Sequence, residues 1–413
     1  MGGVQHSDAL VVGAGPVGLA AAALLRRAGL DVVVLEPRRE LVPRDESRAI
    51  TWMPEGLLLA DELGITADLL AGASLRTSHE FRARPDGPAL LRVRFDRLAH
   101  RHPCTANLPQ HDSEALLERA ALATGRVRLV RGPRVVAVAQ DGGSVEAVTR
   151  SDAGEDRWRA RLGIAADGAR SGRTGVASLL GIGQAVRDHG ASSAVADVEL
   201  ECDPADLAVS FIALDPRGPV GAFRFGDRRW RVVFRDVPRR APGPPPDEVA
   251  AQVRRALPGA VVVRHLWAST FRLAQGQSHR YVDGRWVLVG DAAHAMGPSA
   301  GAGMMVGLLG AWRLAVALAG TDLSAGADVA AALGEYEHRQ AAASRAVQRS
   351  NAMIFRNLAV TSPAVGVARN GLLSALGRVP AVGARLAAQE ALVGTAPFPP
   401  APSPPAPSPP PAA

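Results

Sequence analysis

In the run RWVLVGDAAHAMGPSAGAGMM (residues 285–305) an aspartate, Asp291, stands at the end of an apolar stretch. Residues 285–290 read as a buried strand, so Asp291 falls where that strand ends, before a loop of small residues and a second apolar run from Met304. A carboxylate there costs free energy unless something holds its oxygens. A second stretch able to do chemistry lies near the N-terminus. Residues 13–18, GAGPVG, space three glycines as GxGxxG between an apolar β-rich run at 8–13 and an Ala- and Leu-rich stretch at 19–28. Glycines so placed let backbone N–H groups close on phosphate oxygens.

The elements that must position these residues follow from pattern. Residues 8–36 read as strand, glycine turn, helix and second strand, the second strand closing on Glu36, which is the context the motif requires. Gly13 permits the tight turn, Gly15 lets backbone approach a pyrophosphate, and Gly18 lets helix and strand pack closely. Pro16 and Val17 complete the loop, and Pro37 follows the acid. Glu36 is placed to accept hydrogen bonds from an adenosine ribose, and an acid there disfavours a 2′-phosphate. The expected resident is FAD or NAD. No later stretch repeats GxGxxG behind a strand: Gly181-Ile-Gly183 lacks the third glycine, and the glycine after Gly301-Ala-Gly303 comes one residue late. A nicotinamide cofactor must therefore visit without a Rossmann domain of its own.

With two further stretches, these motifs resemble the FAD-dependent aromatic hydroxylases of the p-hydroxybenzoate hydroxylase class, and most nearly the ubiquinone-biosynthesis and polyketide-tailoring monooxygenases. One is SRAITWMPEG (residues 47–56), in which Arg48 matches an arginine that approaches the flavin phosphates. The other is ADGARS (166–171), whose Asp167 matches an aspartate used near FAD and NAD(P)H. The resemblance runs over about residues 8–395. It implies that Asp291, following Gly290, holds a ribityl hydroxyl of FAD, and that Gln110 touches the ribityl chain. It implies too that Pro298 lies near the reactive face of the flavin. A helix from near Gly303, with Gly301, Met304 and Met305 around its start, would aim its N–H groups at the flavin N1–C2 carbonyl, where reduced flavin carries negative charge. The implied reaction is that of an FAD-dependent monooxygenase. NAD(P)H reduces the flavin, O2 forms a C4a-hydroperoxide, and an oxygen atom passes to an apolar aromatic, polyketide, quinone-like or terpenoid small molecule.

The chain departs from that pattern in places. Met305 stands where an asparagine amide is common, Gly310 where an acid is common, and Thr174 where an arginine is expected after Asp167-Gly168. An FAD reductase or dehydrogenase without oxygen transfer, such as a prenyl-chain reductase type, therefore stays open. So does a non-redox FAD-containing cyclase or binding protein. No catalytic base is legible; His79, His100, Arg224 and Tyr281 are pocket candidates by region. His294 reads as structural, because a histidine in a packed turn is more often a hydrogen-bonded spacer.

Composition bounds the rest. All 47 basic residues are arginine, which excludes Schiff-base, pyridoxal and phosphate-loop-lysine chemistry and disfavours a flavin halogenase. The arginines are dispersed among acids despite a net charge of +7, which disfavours nucleic acid. Cys104 and Cys202 stand far apart, so neither a disulfide framework nor a metal site is expected, and a reducing, cytoplasmic setting fits. The N-terminus leaves no room for a secretory signal. Pro298 and the glycines around it interrupt residues 292–312, so no integral membrane span is expected.

The expected fold class is α/β: a Rossmann-type FAD-binding domain (residues 1–72, 102–182 and 280–345) with an inserted antiparallel β-sheet substrate domain (73–101 and 183–279). C-terminal helices (346–396) and a proline-rich disordered tail (397–413) follow. Oligomeric state, substrate and the choice of NADH or NADPH are not legible.

Overall fold

The structure, a computed structural model, describes residues 4–123, 125–201, 210–215, 218–235, 243–297, 301–358, 360 and 362–397. Pro298, Cys202, part of the expected inserted sheet domain and positions 398–413 of the expected tail lie outside them.

The first sheet has eight strands. Its path runs Val282–Asp283, Trp286–Leu288, Gly154–Ala165, Gln5–Val12, Val32–Glu36 and Val127–Arg131, with Val145–Ser151 and Arg134–Gln140 attached beside Gly154–Ala165. Gln5–Val12 pairs in parallel with Val32–Glu36 on one side and Gly154–Ala165 on the other. All five residues of Val32–Glu36 are buried, as expected of a parallel strand covered on both faces. Helices Pro16–Arg27 and Gly303–Leu318 cover this sheet, and the principal apolar core gathers around it.

The second sheet has seven strands, in the order Val261–Ser278, Gln184–Glu201, Arg229–Arg235, Val220–Arg224, Ser210–Ala213, Ser78–Arg82 and Ala89–Arg94. It is antiparallel except where Ser210–Ala213 meets Ser78–Arg82 in parallel. These two strands come from distant parts of the chain, so no hairpin dictates their direction. One face packs on helix Pro246–Ala256 through Trp230, Val232, Ala194 and Ala196. The alternate residues Ser193, Val195, Arg231 and Val233 face a cavity. That alternation is the period-two pattern of a strand with two different faces. A small third sheet joins Thr51–Trp52, Thr105–Asn107 and Ser74–Arg76.

Helix Gly326–Leu358 is continuous over 33 residues, so the boundary expected at 345/346 falls inside a helix. Helices Pro363–Gly377 and Pro380–Glu390 follow, and Ala387 and Ala391 close a small core with Val93 and Phe95. No described helix is long and apolar enough to cross a membrane. No group of three metal-ligating side chains occurs among the described residues.

Candidate active site

A cavity of about 1420 Å³ runs between the two large sheets. Its first end is built from the strand ends of the parallel sheet. Gly13 has φ +108°, and a Cβ there would collide with the Ala166 carbonyl; one at Gly18 would collide with the Gly13 carbonyl. Gly15, by contrast, presents open space to the cavity. Pro16 and Val17 begin the following helix on the same wall. Glu36 ends the next strand, where its Oε2 accepts the Ala14 N–H at 2.7 Å and its Oε1 accepts the Arg38 N–H and Nε at 3.0 and 2.9 Å. Pro37 and Arg38 continue the wall. Oε1 is thereby filled, while Oε2, with one donor, keeps lone-pair capacity for another.

Asp291 sits in the turn Gly290–Ala292, which the strand Trp286–Leu288 feeds, with Gly290 at φ +59°. No described N–H or O–H donates to its carboxylate, which lines the cavity. Burial pushes its pKa up to about 6, although Arg48 pulls the other way. Asp167, at the end of the adjacent strand, accepts the Val176 N–H on Oδ2 at 2.8 Å, and its Oδ1 is buried with no partner. Burial raises its pKa, against the hydrogen bonds from Ser171 and Val176. Two carboxylates with open oxygens, a glycine with room in front of it, and two helix starts without side-chain caps make a donor and acceptor set that fits a dinucleotide carrying hydroxyls and phosphates.

Arg48 lies on the wall with its side chain 63% exposed and paired to Glu46 at 2.9 Å. Gln110 opens helix Gln110–Leu122. Its Oε1 accepts the backbone N–H groups of Arg48 and Ala49, and its Nε2 donates to Glu114. Its carboxamide thus holds the Arg48 loop in position. Gly301, Gly303 and Met304 line the cavity at the start of helix Gly303–Leu318. Ala295, Met296 and Gly297 line it just before Pro298, which itself lies outside the described residues.

Met305 is not on the wall. It is fully buried in the core, with its Sδ against Gly56, whose lack of a Cβ makes the room. The departure at 310 has a similar cause: a Cβ on Gly310 would stand 2.7 Å from Gln340 Nε2, which lies 2.8 Å from His294 Nε2. His294 is fully buried off the cavity, and burial depresses its pKa to about 4. A neutral, packed imidazole is a structural one.

The second end of the cavity is apolar and partly aromatic, with Ile212, Phe223, Val233 and Phe271 from the seven-stranded sheet. Of the four pocket candidates His79 is on its wall. His100 is buried 3.8 Å from Glu55, the Arg224 side chain reaches back to the Gly226 carbonyl, and Tyr281 is buried in the parallel-sheet core with its hydroxyl on Ser344. Sequence reasoning missed Arg76, Gln389, Glu390, Leu392 and Thr395, all of which line the cavity. The C-terminal residues carried no motif, and docking of helix Pro380–Glu390 on Phe95 and Val93 is what brings them to it.

A family model described as FAD binding domain matches residues 6–350. Para-nitrophenol 4-monooxygenase of Pseudomonas sp. (strain WBC-3) is 30% identical over 329 residues, which cover 75% of this chain and 77% of that protein. An uncharacterized aromatic compound monooxygenase of Bacillus subtilis (strain 168) is 31% identical, with 76% of this chain and 62% of that protein matched. For the 12-dehydrotetracycline 5-monooxygenase/anhydrotetracycline 6-monooxygenase of Streptomyces rimosus the identity is 31% and the shares are 76% and 63%. The chain thus spans under two thirds of the length of the last two. Among solved structures, p-nitrophenol 4-monooxygenase of Pseudomonas putida DLL-E4 shares the fold with a TM-score of 0.82 at 24% identity, over 94% of this chain and 99% of that one. The anhydrotetracycline hydroxylase of Streptomyces rimosus superposes with a TM-score of 0.75 at 27% identity, over 94% and 76%.

Proposed function

Because this chain belongs to the FAD binding domain family, we propose that it is an FAD-dependent monooxygenase that hydroxylates an apolar aromatic or polyketide small molecule with NAD(P)H and O2. The observation that carries the reading is the continuity of one cavity, from the carboxylates and glycine loop of the parallel sheet to the apolar wall of the seven-stranded sheet. Bound FAD supplies electron transfer from NAD(P)H to O2 and delivery of one oxygen atom to the substrate, the other leaving as water.

The chain's own residues bind, orient and exclude water. Gly15 and the start of helix Pro16–Arg27 receive the pyrophosphate, with Pro16 and Val17 beside them, and Glu36 and Pro37 border the adenosine ribose. Asp291, after Gly290, accepts a ribityl hydroxyl. That contact holds the carboxylate oxygens left open at the end of its strand. Asp167 offers its second oxygen in the same way. Gln110 acts through the backbone of Arg48, which it holds at the rim. Gly301, Gly303 and Met304 set the start of helix Gly303–Leu318, whose free N–H groups favour negative charge on the reduced ring. Met305 works as core packing beneath this loop. Apolar side chains such as Ile212, Phe223 and Phe271 keep water from the reacting centre. Relatives named for para-nitrophenol and for anhydrotetracycline support a phenolic or polycyclic aromatic substrate.

The test is to load the protein with FAD, supply NADH or NADPH with isotopically labelled O2, and screen phenols and aromatic polyketides by mass spectrometry. Labelled oxygen in a product supports the reading. Consumption of NAD(P)H with hydrogen peroxide as the sole reduced-oxygen product across the screen would turn it toward an FAD oxidoreductase without oxygen transfer.

A further inference from the structure

One stretch of the cavity wall is neither sheet nor helix. Helix Pro380–Glu390 ends at Glu390, whose Oε2 stands 3.3 Å from His79 Nε2 in the field of Arg76. Beyond it residues 391–396 run as turns and bends, and Leu392, Val393 and Thr395 line the cavity. Leu392 adopts the left-handed φ of +61°, which side chains rarely take, and buries its side chain in the principal core. Val393 touches the cavity and is also 41% exposed, and Gly394 beside it is exposed. Here one thickness of chain separates the cavity from solvent.

Two opposite charges hold this segment by its backbone. Glu55 lies in the first turn of helix Pro54–Leu63 and is buried. Its Oε1 accepts the Gly394 N–H at 2.7 Å and its Oε2 accepts the Ala396 N–H at 3.2 Å. Arg313, on helix Gly303–Leu318, donates from Nη2 to the Thr395 carbonyl and from Nη1 to Gln340 at 2.6 Å. His100 Nε2 stands 3.8 Å from Glu55 Oε1, beyond hydrogen-bond reach, and burial lowers its pKa, so the ring is neutral and leaves the carboxylate to the two N–H groups. The carboxylate and the guanidinium thus grip three backbone groups in succession and leave the side chains of Leu392, Val393 and Thr395 to the cavity. Bonds to charged groups are the strong ones, and each here is made to the main chain rather than to a side chain.

We propose that residues 391–396 are the gate of the cavity, latched by Glu55 and Arg313, and that the small-molecule substrate enters where this latch opens. The inference rests on the monooxygenase reading and deepens it. The sheets and long helices around the cavity open only with loss of their ladders and core contacts, whereas the latch opens with loss of three hydrogen bonds and one buried leucine. Closed, the segment keeps water from the reacting centre; open, it leaves a way in that disturbs neither large sheet. Glu55 and Arg313 are positioning residues, which act on the ligand only through the segment they hold.

The test compares Glu55→Gln, which weakens the carboxylate side of the latch, with Ala396→Pro, which removes one of its N–H donors. Two truncations frame them: a chain ending at Glu390 lacks the gate, and a chain ending at Pro397 keeps it. The probe is indole, a neutral aromatic whose quenching of bound-flavin fluorescence reports passage into the cavity of the FAD-loaded protein. Both point variants should be quenched roughly tenfold more efficiently than wild type, the worth of one hydrogen bond to a charged group. Hydrogen exchange of the peptide spanning residues 391–397 should quicken by a similar factor. The double variant should add little to either single one, because both act on one latch. The chain ending at Glu390 should be quenched most, and the chain ending at Pro397 should match wild type. Wild-type quenching in either point variant overturns the proposal, however the truncated chains behave. A lowered melting temperature without increased quenching makes Glu55 a structural anchor and overturns it equally. Hydrogen exchange decides for any variant that loses its flavin. Failure of the wild-type chain to retain FAD is read separately, from its flavin spectrum, and counts against the monooxygenase reading instead.

Discussion

Arg231 holds Asp197 with two hydrogen bonds of 2.8 Å, from Nε to Oδ1 and from Nη2 to Oδ2, and its Nη2 also reaches the carbonyl of Ser47. Both side chains are almost fully buried. The pair belongs to neighbouring strands of the seven-stranded sheet, while Ser47 precedes Arg48 on the rim of the nucleotide end. One guanidinium thus ties the seven-stranded sheet to the Arg48 loop on the cavity wall.

Breaking that tie should cost both stability and cofactor retention. Arg231→Met leaves Asp197 buried without its partner, a loss of about 3–5 kcal/mol. Chemical denaturation of the FAD-free protein should read it directly. The double change Asp197→Leu with Arg231→Met should be less damaging than Arg231→Met alone, because no unpaired charge remains. FAD affinity should stay low in both variants, since neither anchors Ser47.

Asp291 should stabilise the holoprotein and burden the FAD-free one. Its pKa is raised in the folded state to about 6 from the ordinary 3.8, so the FAD-free protein is most stable below pH 3.8 as far as this group is concerned. It loses that contribution as pH rises to about 6 and changes little above. Asp291→Asn should therefore raise the stability of the FAD-free protein at pH 7 by up to about 3 kcal/mol while weakening FAD binding. A pH series of melting temperatures for both proteins, with and without FAD, checks each half.

Two glycines of the N-terminal loop should behave differently. Gly13 is in the left-handed region against the Ala166 carbonyl, so Gly13→Ala should destabilise the FAD-free chain by about 1–3 kcal/mol. Gly15 has nothing in front of it, so Gly15→Ala should leave stability within about 0.5 kcal/mol. FAD affinity should nonetheless fall by roughly tenfold, or about 1.4 kcal/mol. Flavin retention and thermal unfolding separate the two effects.

Met305→Asn, which restores the residue common in the resembling hydroxylases, should not improve flavin binding. The side chain at 305 is buried against Gly56 rather than exposed to the cavity, so an amide there is desolvated without a partner. A loss of about 2–4 kcal/mol is expected, measurable as a lowered melting temperature with no gain in FAD affinity.

Local pattern made the nucleotide end legible. GxGxxG between two apolar runs, Asp167 and Asp291 at strand ends, and an Ala- and Leu-rich helix are each written within a few residues, because backbone turns and strand ends are local events. Those residues identify a dinucleotide-binding α/β chain before any folding is considered. The parallel seam between Ser210–Ala213 and Ser78–Arg82 was not legible, since it joins strands far apart in the chain. Nor were the burial of Met305 against Gly56 and the service of Gln110 to the Arg48 backbone. The cluster of Arg76, His79 and Glu390 was the least legible of all. Each is an ordinary polar residue in its own segment, and only the docking of the C-terminal helix through Ala387 and Ala391 onto Val93 and Phe95 brings the carboxyl to the histidine. Sequence spacing encodes what the backbone does locally; which distant side chains share one low-dielectric cavity is decided by packing.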